Sequence, residues 1–480
     1  MCAWLLAILL WQPAGLRAPA VAAAAIVSSI LSGRGGDAAQ LEQGVETIHV
    51  TARDGAYDAT VHMRGGDYRI DVVLDGADYA FGRSADLRWR RTPSGSVRIV
   101  RSDVQGDVLD RWPRSVFGLD LAACDSAGSA TLSGAQLWVL ACRTGGDPAL
   151  FYYVDPANGR VLREVSREGS RVVTYDFDDF RSTGSWTQPY HWRISGADGA
   201  ADVTVTSVKP RAAPDDAMEI PASIADQFKL PAGGTSLIPA HFAHWIEVPV
   251  EIDGQKRTFI IDTGTTQTII DIGEAARLGL NPKFGHAIVP QLRVGDAIAK
   301  RLPVEAIDLF GGRTEGILGN EFFTGHIVHI DYARGRVELI SHALFEPPKD
   351  AQRIEVDYRE GLPITAAIAA GTQGERFALD TGSYWIMISR SFLERSRLLP
   401  TAIPGFDSRT VSFLEGPVLS RLEVIPSFTF AGYRFDSPNA EIEQASADNT
   451  DFPLDGIIGA NVLSVFDLWF DYDDGVLWAR

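Results

Sequence analysis

Two short acidic segments stand out from the rest of the 480-residue chain. Phe259-Ile260-Ile261-Asp262-Thr263-Gly264-Thr265 is echoed by Phe377-Ala378-Leu379-Asp380-Thr381-Gly382-Ser383, the second acid standing 380 − 262 = 118 positions after the first. Two apolar residues before each Asp bury the strand that carries it, and Thr-Gly turns the chain so that both carboxylates point into one cleft. Carboxylates held about 3 Å apart cannot both ionise cheaply, so such a pair shares one proton. The charged member then serves as base toward water and the protonated member as acid toward a carbonyl, with no metal and no covalent intermediate.

The elements that must position these acids also come in two copies. A hairpin precedes each one: residues 245–252 with the turn Asp253-Gly254, and residues 364–370 with a turn over 371–374. Downstream, Gly316-Ile317-Leu318-Gly319-Asn320 is matched by Gly456-Ile457-Ile458-Gly459-Ala460. Each leads into an apolar run ending in Asp-Tyr, and 331 − 319 and 471 − 459 both equal 12. Glycine at 316, 319, 456 and 459 lets an apolar strand pass close behind an acid loop. The hydroxyls of Thr263 and Thr381 can brace the opposing loop, while Thr265 and Ser383 can bond the outer carboxylate oxygens. Each repeat supplies half of a site.

On these residues the chain resembles the pepsin and retropepsin clan of aspartic peptidases, in particular the bacterial retropepsin-like aspartyl proteases. The resemblance covers residues 240–480, half of the chain. It implies two β-barrel lobes, 240–347 and 348–480, fused as a pepsin-like pseudo-dimer with one intramolecular site. It assigns catalysis to Asp262 and Asp380 and loop support to Thr263, Gly264, Thr265, Thr381, Gly382 and Ser383. The reaction it implies is hydrolysis of peptide bonds, with a peptide or protein as substrate and no cofactor. The flaps depart from the family pattern: the first lobe offers only a short stretch around Gly285 and His286, while residues 404–417 of the second can form a flap hairpin.

Residues 45–208 alternate apolar and polar positions in short runs separated by Gly, Asp and Asn, the pattern of antiparallel strands with one buried face. Val61 and Met63, then Tyr68, Ile70, Val72 and Leu74, follow period two. Tyr152-Tyr153-Val154-Asp155-Pro156 with Asn158-Gly159, and the later stretch 175–194, are similar to the half-barrel of outer-membrane lipoprotein carriers. That resemblance implies an apolar or lipid-like ligand. The expected fold class is therefore mainly β: a half-barrel-like domain over 45–208, a Pro- and Ala-rich linker over 209–239 with a short helix at 223–228, and the two lobes.

The first 25 residues read as a signal peptide, with an apolar run over 3–11 and small residues over 18–25. Cys2 leaves with it, and the remaining pair, Cys124 and Cys142, flanks a hairpin and reads as a disulfide of an exported, periplasmic or secreted chain. A net charge of −18 gives no field to hold a polyanion, and no stretch of the body is long and apolar enough to span a bilayer. His241 with His244, and His326 with His329, lack accompanying ligands at metal-site spacing, so no metal is expected. Trp385 and Met387 read as core. The expectation is a monomeric exported endopeptidase that binds neither nucleic acid nor membrane; the competing reading is a catalytically silent exported binding protein that works through its half-barrel.

Overall fold

The computed structural model describes residues 21–35, 43–52, 55–64, 67–74, 77–84, 87–100, 124–143, 149–168, 171–183, 186–196, 199–210, 218–223, 227–283, 285–309, 311–404, 409–413, 416–446 and 454–480. The chain is mainly β and forms two compact units: Met1–Val73, Phe81–Arg88 and Asp103–Ile220 in the first, and Leu74–Ala80, Trp89–Ser102 and Pro221–Arg480 in the second. The apolar run of the expected signal peptide lies outside the described residues. A helix, Ala23–Gly33, begins inside the small-residue stretch and buries Ile26 and Ile30, one turn apart on one face.

One thirteen-stranded sheet is built from the first 210 residues. From Val97–Val100 its neighbours run backward along the chain to Gln43–Ala52, which pairs with Gly199–Pro210. From there the order again runs backward, to Cys124–Leu132. The period-two reading holds at Val61, Met63, Ile70 and Val72, all buried, and Gly55–Arg64 extends it with buried Tyr57 and Ala59, whereas Tyr68 is half-buried. Gly159 has φ +71°, and a β-carbon there would stand 1.9 Å from the carbonyl oxygen of Ser29, so this tight turn meets the helix backbone where only glycine fits. Cys124 and Cys142 face each other across a strand pair and are joined by a disulfide.

The second unit contains sheets of eight, ten and six strands. In the eight-stranded sheet, Gln255–Ile261 runs parallel to Gly316–Leu318, pairing Phe259 with Gly316 and Ile261 with Leu318. In the ten-stranded sheet, Thr372–Leu379 pairs likewise with Gly456–Ile458, Phe377 with Gly456 and Leu379 with Ile458. Short, wholly apolar strands suit such parallel pairs because both faces are covered. The six-stranded sheet takes strands from both repeats, with Ile327–Asp331 lying antiparallel to Asp467–Asp471.

Short helices follow each acid loop. Ile272–Arg277 is capped by Asp271, which accepts from the Glu274 amide at 3.1 Å, and Arg390–Ser396 by Ser389, which accepts from the Phe392 amide at 3.2 Å. The stretch expected as linker contributes two strands, Phe228–Lys229 and Thr235–Pro239; of the helix expected at 223–228, residues 224–226 lie outside the described residues and Phe228 is a strand residue. Phe228 is fully buried against Phe322, so tertiary packing decides a segment too short to show any period. No helix of the described residues is long and apolar enough to cross a membrane.

Candidate active site

Each acid sits at the end of a buried strand whose parallel neighbour fixes it. The Asp262 amide donates to the Leu318 carbonyl and the Asp380 amide to the Ile458 carbonyl, both at 3.1 Å. Asp262 Oδ1 accepts from the Gly264 amide at 2.7 Å, and Oδ2 from the Thr265 hydroxyl at 2.8 Å. Asp380 repeats the pattern: Oδ1 accepts from the amides of Gly382 and Ser383 at 2.8 and 3.0 Å, and Oδ2 from the Ser383 hydroxyl at 2.8 Å. Each outer oxygen therefore has a hydroxyl donor, and each inner oxygen a backbone amide.

The two threonines lock the loops together. The Thr263 hydroxyl donates to the Leu379 carbonyl at 2.7 Å and accepts from the Thr381 amide at 3.0 Å. In return the Thr381 hydroxyl donates to the Ile261 carbonyl at 3.0 Å and accepts from the Thr263 amide at 3.1 Å. All four groups are buried, where an unpaired amide or carbonyl is costly, so the lock rigidifies both loops at once.

The glycines show how close the loops come. A β-carbon on Gly264 would lie 2.7 Å from Asp380 Cγ, and one on Gly382 would lie 2.4 Å from Asp262 Cγ. Each loop's glycine thus opens space for the other loop's acid. Burial, then the negative charge of Asp380 and a hydrogen bond with it, holds the Asp262 carboxyl well above the usual carboxylate range. The backs of the loops are equally tight: β-carbons on Gly319 and Gly459 would stand 2.3 Å from the Gln267 carbonyl oxygen and 2.4 Å from that of Trp385.

Trp245, not anticipated from sequence, donates its indole N–H to the Gly382 carbonyl at 3.0 Å, and His244 stacks on Tyr384 with centroids 5.1 Å apart. The first repeat's loop is thereby seated against the second's. The signal was present in position alone, since Trp245 stands at the start of the hairpin that leads to Asp262. Met387 is buried as expected, whereas Trp385 keeps some exposure.

The flap regions differ between the repeats. In the first, the chain passes from helix Ile272–Arg277 almost directly into strand His286–Val294, which pairs Val294 with Val250. In the second, a hairpin of Arg409–Phe413 and Gly416–Val424 intervenes before the corresponding strand, Ser427–Phe430. Residues 414 and 415 at its tip lie outside the described residues. A groove of 1170 Å³ in the second unit, lined in part by Arg353, Asp357, Arg359 and Asp473, includes neither acid.

His326 is bonded through Nε2 to the Phe322 carbonyl oxygen, at 2.9 Å. His329, Asp331 and Asp467 bring potential ligand atoms within 4.8 Å of one another. Asp331 is, however, held by Arg334 at 2.9 Å and Arg336 at 3.1 Å, and His329 by Asp467 at 2.6 Å. These donors already engage the carboxylates, so the cluster is a charge-paired, hydrogen-bonded network.

A family model described as aspartyl protease matches residues 248–322, which span the first acid loop and its Gly-x-x-Gly partner strand. No curated protein matches the chain. Among solved structures, it is similar to a LolA superfamily protein of Nitrosomonas europaea at 16% identity, covering 42% of this chain and 98% of that one with a TM-score of 0.33. It is also similar to a DUF1329 family protein of Desulfovibrio piger at 13% identity, covering 41% and 92% with a TM-score of 0.31.

Proposed function

We propose that the protein is an exported aspartic-type endopeptidase whose single site is shared by two lobes of one chain, with Asp262 and Asp380 as the catalytic pair. The observation that carries this reading is reciprocal: each loop's glycine lies against the opposite loop's acid, a closeness that serves proton sharing and leaves no room for a side chain. In the resting pair one carboxyl keeps the proton. A water between them loses a proton to the charged carboxylate as it attacks the substrate carbonyl, and the protonated carboxyl donates to the carbonyl oxygen. The proton transferred to the dyad then passes to the leaving amine. Thr265 and Ser383 hold the outer oxygens still, and the threonine lock keeps both acids in register.

The substrate is a peptide or protein strand with apolar side chains beside the scissile bond, and the monomer suffices because both acids belong to one chain. Export is supported by the apolar N-terminal run and by the disulfide, which persists in oxidising compartments. The test is cleavage of a denatured protein by the chain lacking residues 1–25, across about pH 3 to 7, beside Asp262→Asn and Asp380→Asn. Either substitution is expected to lower kcat by at least about 10²- to 10⁴-fold. Persistence of cleavage in either folded variant would refute a shared dyad, and silence of the wild type would favour a binding protein.

A further inference from the structure

Two pieces of the N-terminal half, Leu74–Ala80 and Trp89–Ser102, belong to the second unit, and described residues of both meet the first repeat. The Tyr79 ring lies 6.2 Å from His286, at the start of strand His286–Val294, and the Arg90 guanidinium sits 4.8 Å over Tyr79. The turn before strand Val97–Val100 brings the Ser94 hydroxyl to Glu321 Oε1, deep in the repeat where both residues are buried. The Ser94 carbonyl in turn accepts from Gln227 Nε2 at 2.7 Å. Farther along, Arg98 Nη1 donates to the Thr266 hydroxyl at 3.0 Å, and the Ile99 amide donates to the Arg359 carbonyl at 2.6 Å.

Both side-chain contacts end on the first acid loop. Glu321 Oε2 accepts from the amide and hydroxyl of Thr268, at 2.7 and 3.0 Å, so Ser94 reaches the loop through one carboxyl group. Thr266 follows Thr265, whose hydroxyl holds Asp262 Oδ2. The second repeat solves the same problem internally. Asn461, two residues after Gly459 as Glu321 is after Gly319, accepts from the Ile386 amide at 2.9 Å and donates to the Asn439 carbonyl at 3.1 Å. A glutamate in place of that amide has a second acceptor oxygen to satisfy in a buried place, and the Ser94 hydroxyl bonds it.

We infer that residues 89–100 are a positioning strap for the first acid loop, with Ser94 and Arg98 as its positioning residues, so that the peptidase includes this part of the N-terminal half and is not complete in residues 221–480. The inference rests on the peptidase reading for its catalytic consequence, and on the contacts alone for its structural one. The strap is the first repeat's counterpart to an internal brace in the second, and removal of the N-terminal half as a prosegment would loosen Asp262.

The experiment compares the chain lacking residues 1–25 with Ser94→Ala, Ser94→Thr, Arg98→Ala and Arg98→Lys. Readouts are kcat and KM on a denatured protein, and amide hydrogen exchange over residues 259–271 and 377–388. Loss of one such hydrogen bond is expected to speed exchange in the first loop, and to lower kcat, by about 5- to 30-fold. The second loop and KM should stay within about twofold, and Ser94→Thr should restore both readouts. Arg98 is partly exposed, so its variants retain the fold and keep the test decisive if Ser94→Ala fails to fold. Unchanged exchange and kcat in folded variants would overturn the strap while leaving the peptidase standing, and equal acceleration in both loops would reduce it to a general stabiliser. If the wild type cleaves nothing, the peptidase reading fails, and the exchange difference between the loops decides the strap by itself.

Discussion

At Asp262, geometry becomes a pH dependence. Burial and the neighbouring Asp380 raise its folded pKa above the unfolded carboxyl value of about 3.9. Folding therefore favours its protonated form, and that contribution is complete below the unfolded value and is lost as pH rises through the raised folded one. Asp262→Asn removes the ionisation. The variant is expected to melt above the wild type at pH 7, with the difference fading toward pH 3, in thermal scans of matched buffers. A wild type that is the more stable at pH 7 would mean that Asp262 gains from charge, contrary to its surroundings. Thr263 makes a second, simpler case, because its hydroxyl both donates to Leu379 and accepts from Thr381. Thr263→Val leaves two buried backbone groups unpaired and is expected to cost about 2–4 kcal/mol in urea unfolding, with Thr263→Ser costing much less.

The acid loop as an element depends on space more than on backbone strain. Neither Gly264 nor Gly382 has a positive φ, so alanine fits the backbone at both positions and its nearest contact is the opposite carboxylate. Gly264→Ala is accordingly expected to keep the fold and displace Asp380 by enough to cost about 10²-fold in kcat, read by steady-state cleavage beside a melting curve. Normal cleavage would show that the loops stand farther apart than the structure has them. The sequence reading recovered this element well, because Asp-Thr-Gly and Gly-x-x-Gly are local patterns and their matched register is visible as arithmetic. The hairpin expected over 404–417 overlaps only in part the observed pair Arg409–Phe413 and Gly416–Val424, because period-two signals fix a strand's presence better than its ends. The sequence reading missed Trp245 and the strap, for a physical reason: a serine and a glutamate 227 residues apart form no pattern until the fold pairs them. Phe228–Lys229 escaped as well, being two residues long and defined wholly by its neighbours.

For the whole molecule, the division into two units separates what holds the dyad from what holds the disulfide. The groups that fix Asp262 and Asp380, from Ile261 to Thr268, at Leu318 and Ile458, and from Leu379 to Ser383, all belong to the second unit, as do Ser94 and Arg98 of the strap. Cys124 and Cys142 belong to the first, where their bond closes a loop of sequence separation 18. On the chain-entropy model such a crosslink restricts the unfolded ensemble by about 3 kcal/mol. Cys124→Ser with Cys142→Ser should therefore lower the resistance of the first unit by about that amount, while cleavage per folded molecule at 25 °C stays within about twofold of wild type. Pulse proteolysis in urea, with the fragments assigned by mass spectrometry, reports the two units separately. Parallel loss of activity and of first-unit protection would show instead that the sheet carrying the disulfide governs the site, with the chain leading into the strap as its route.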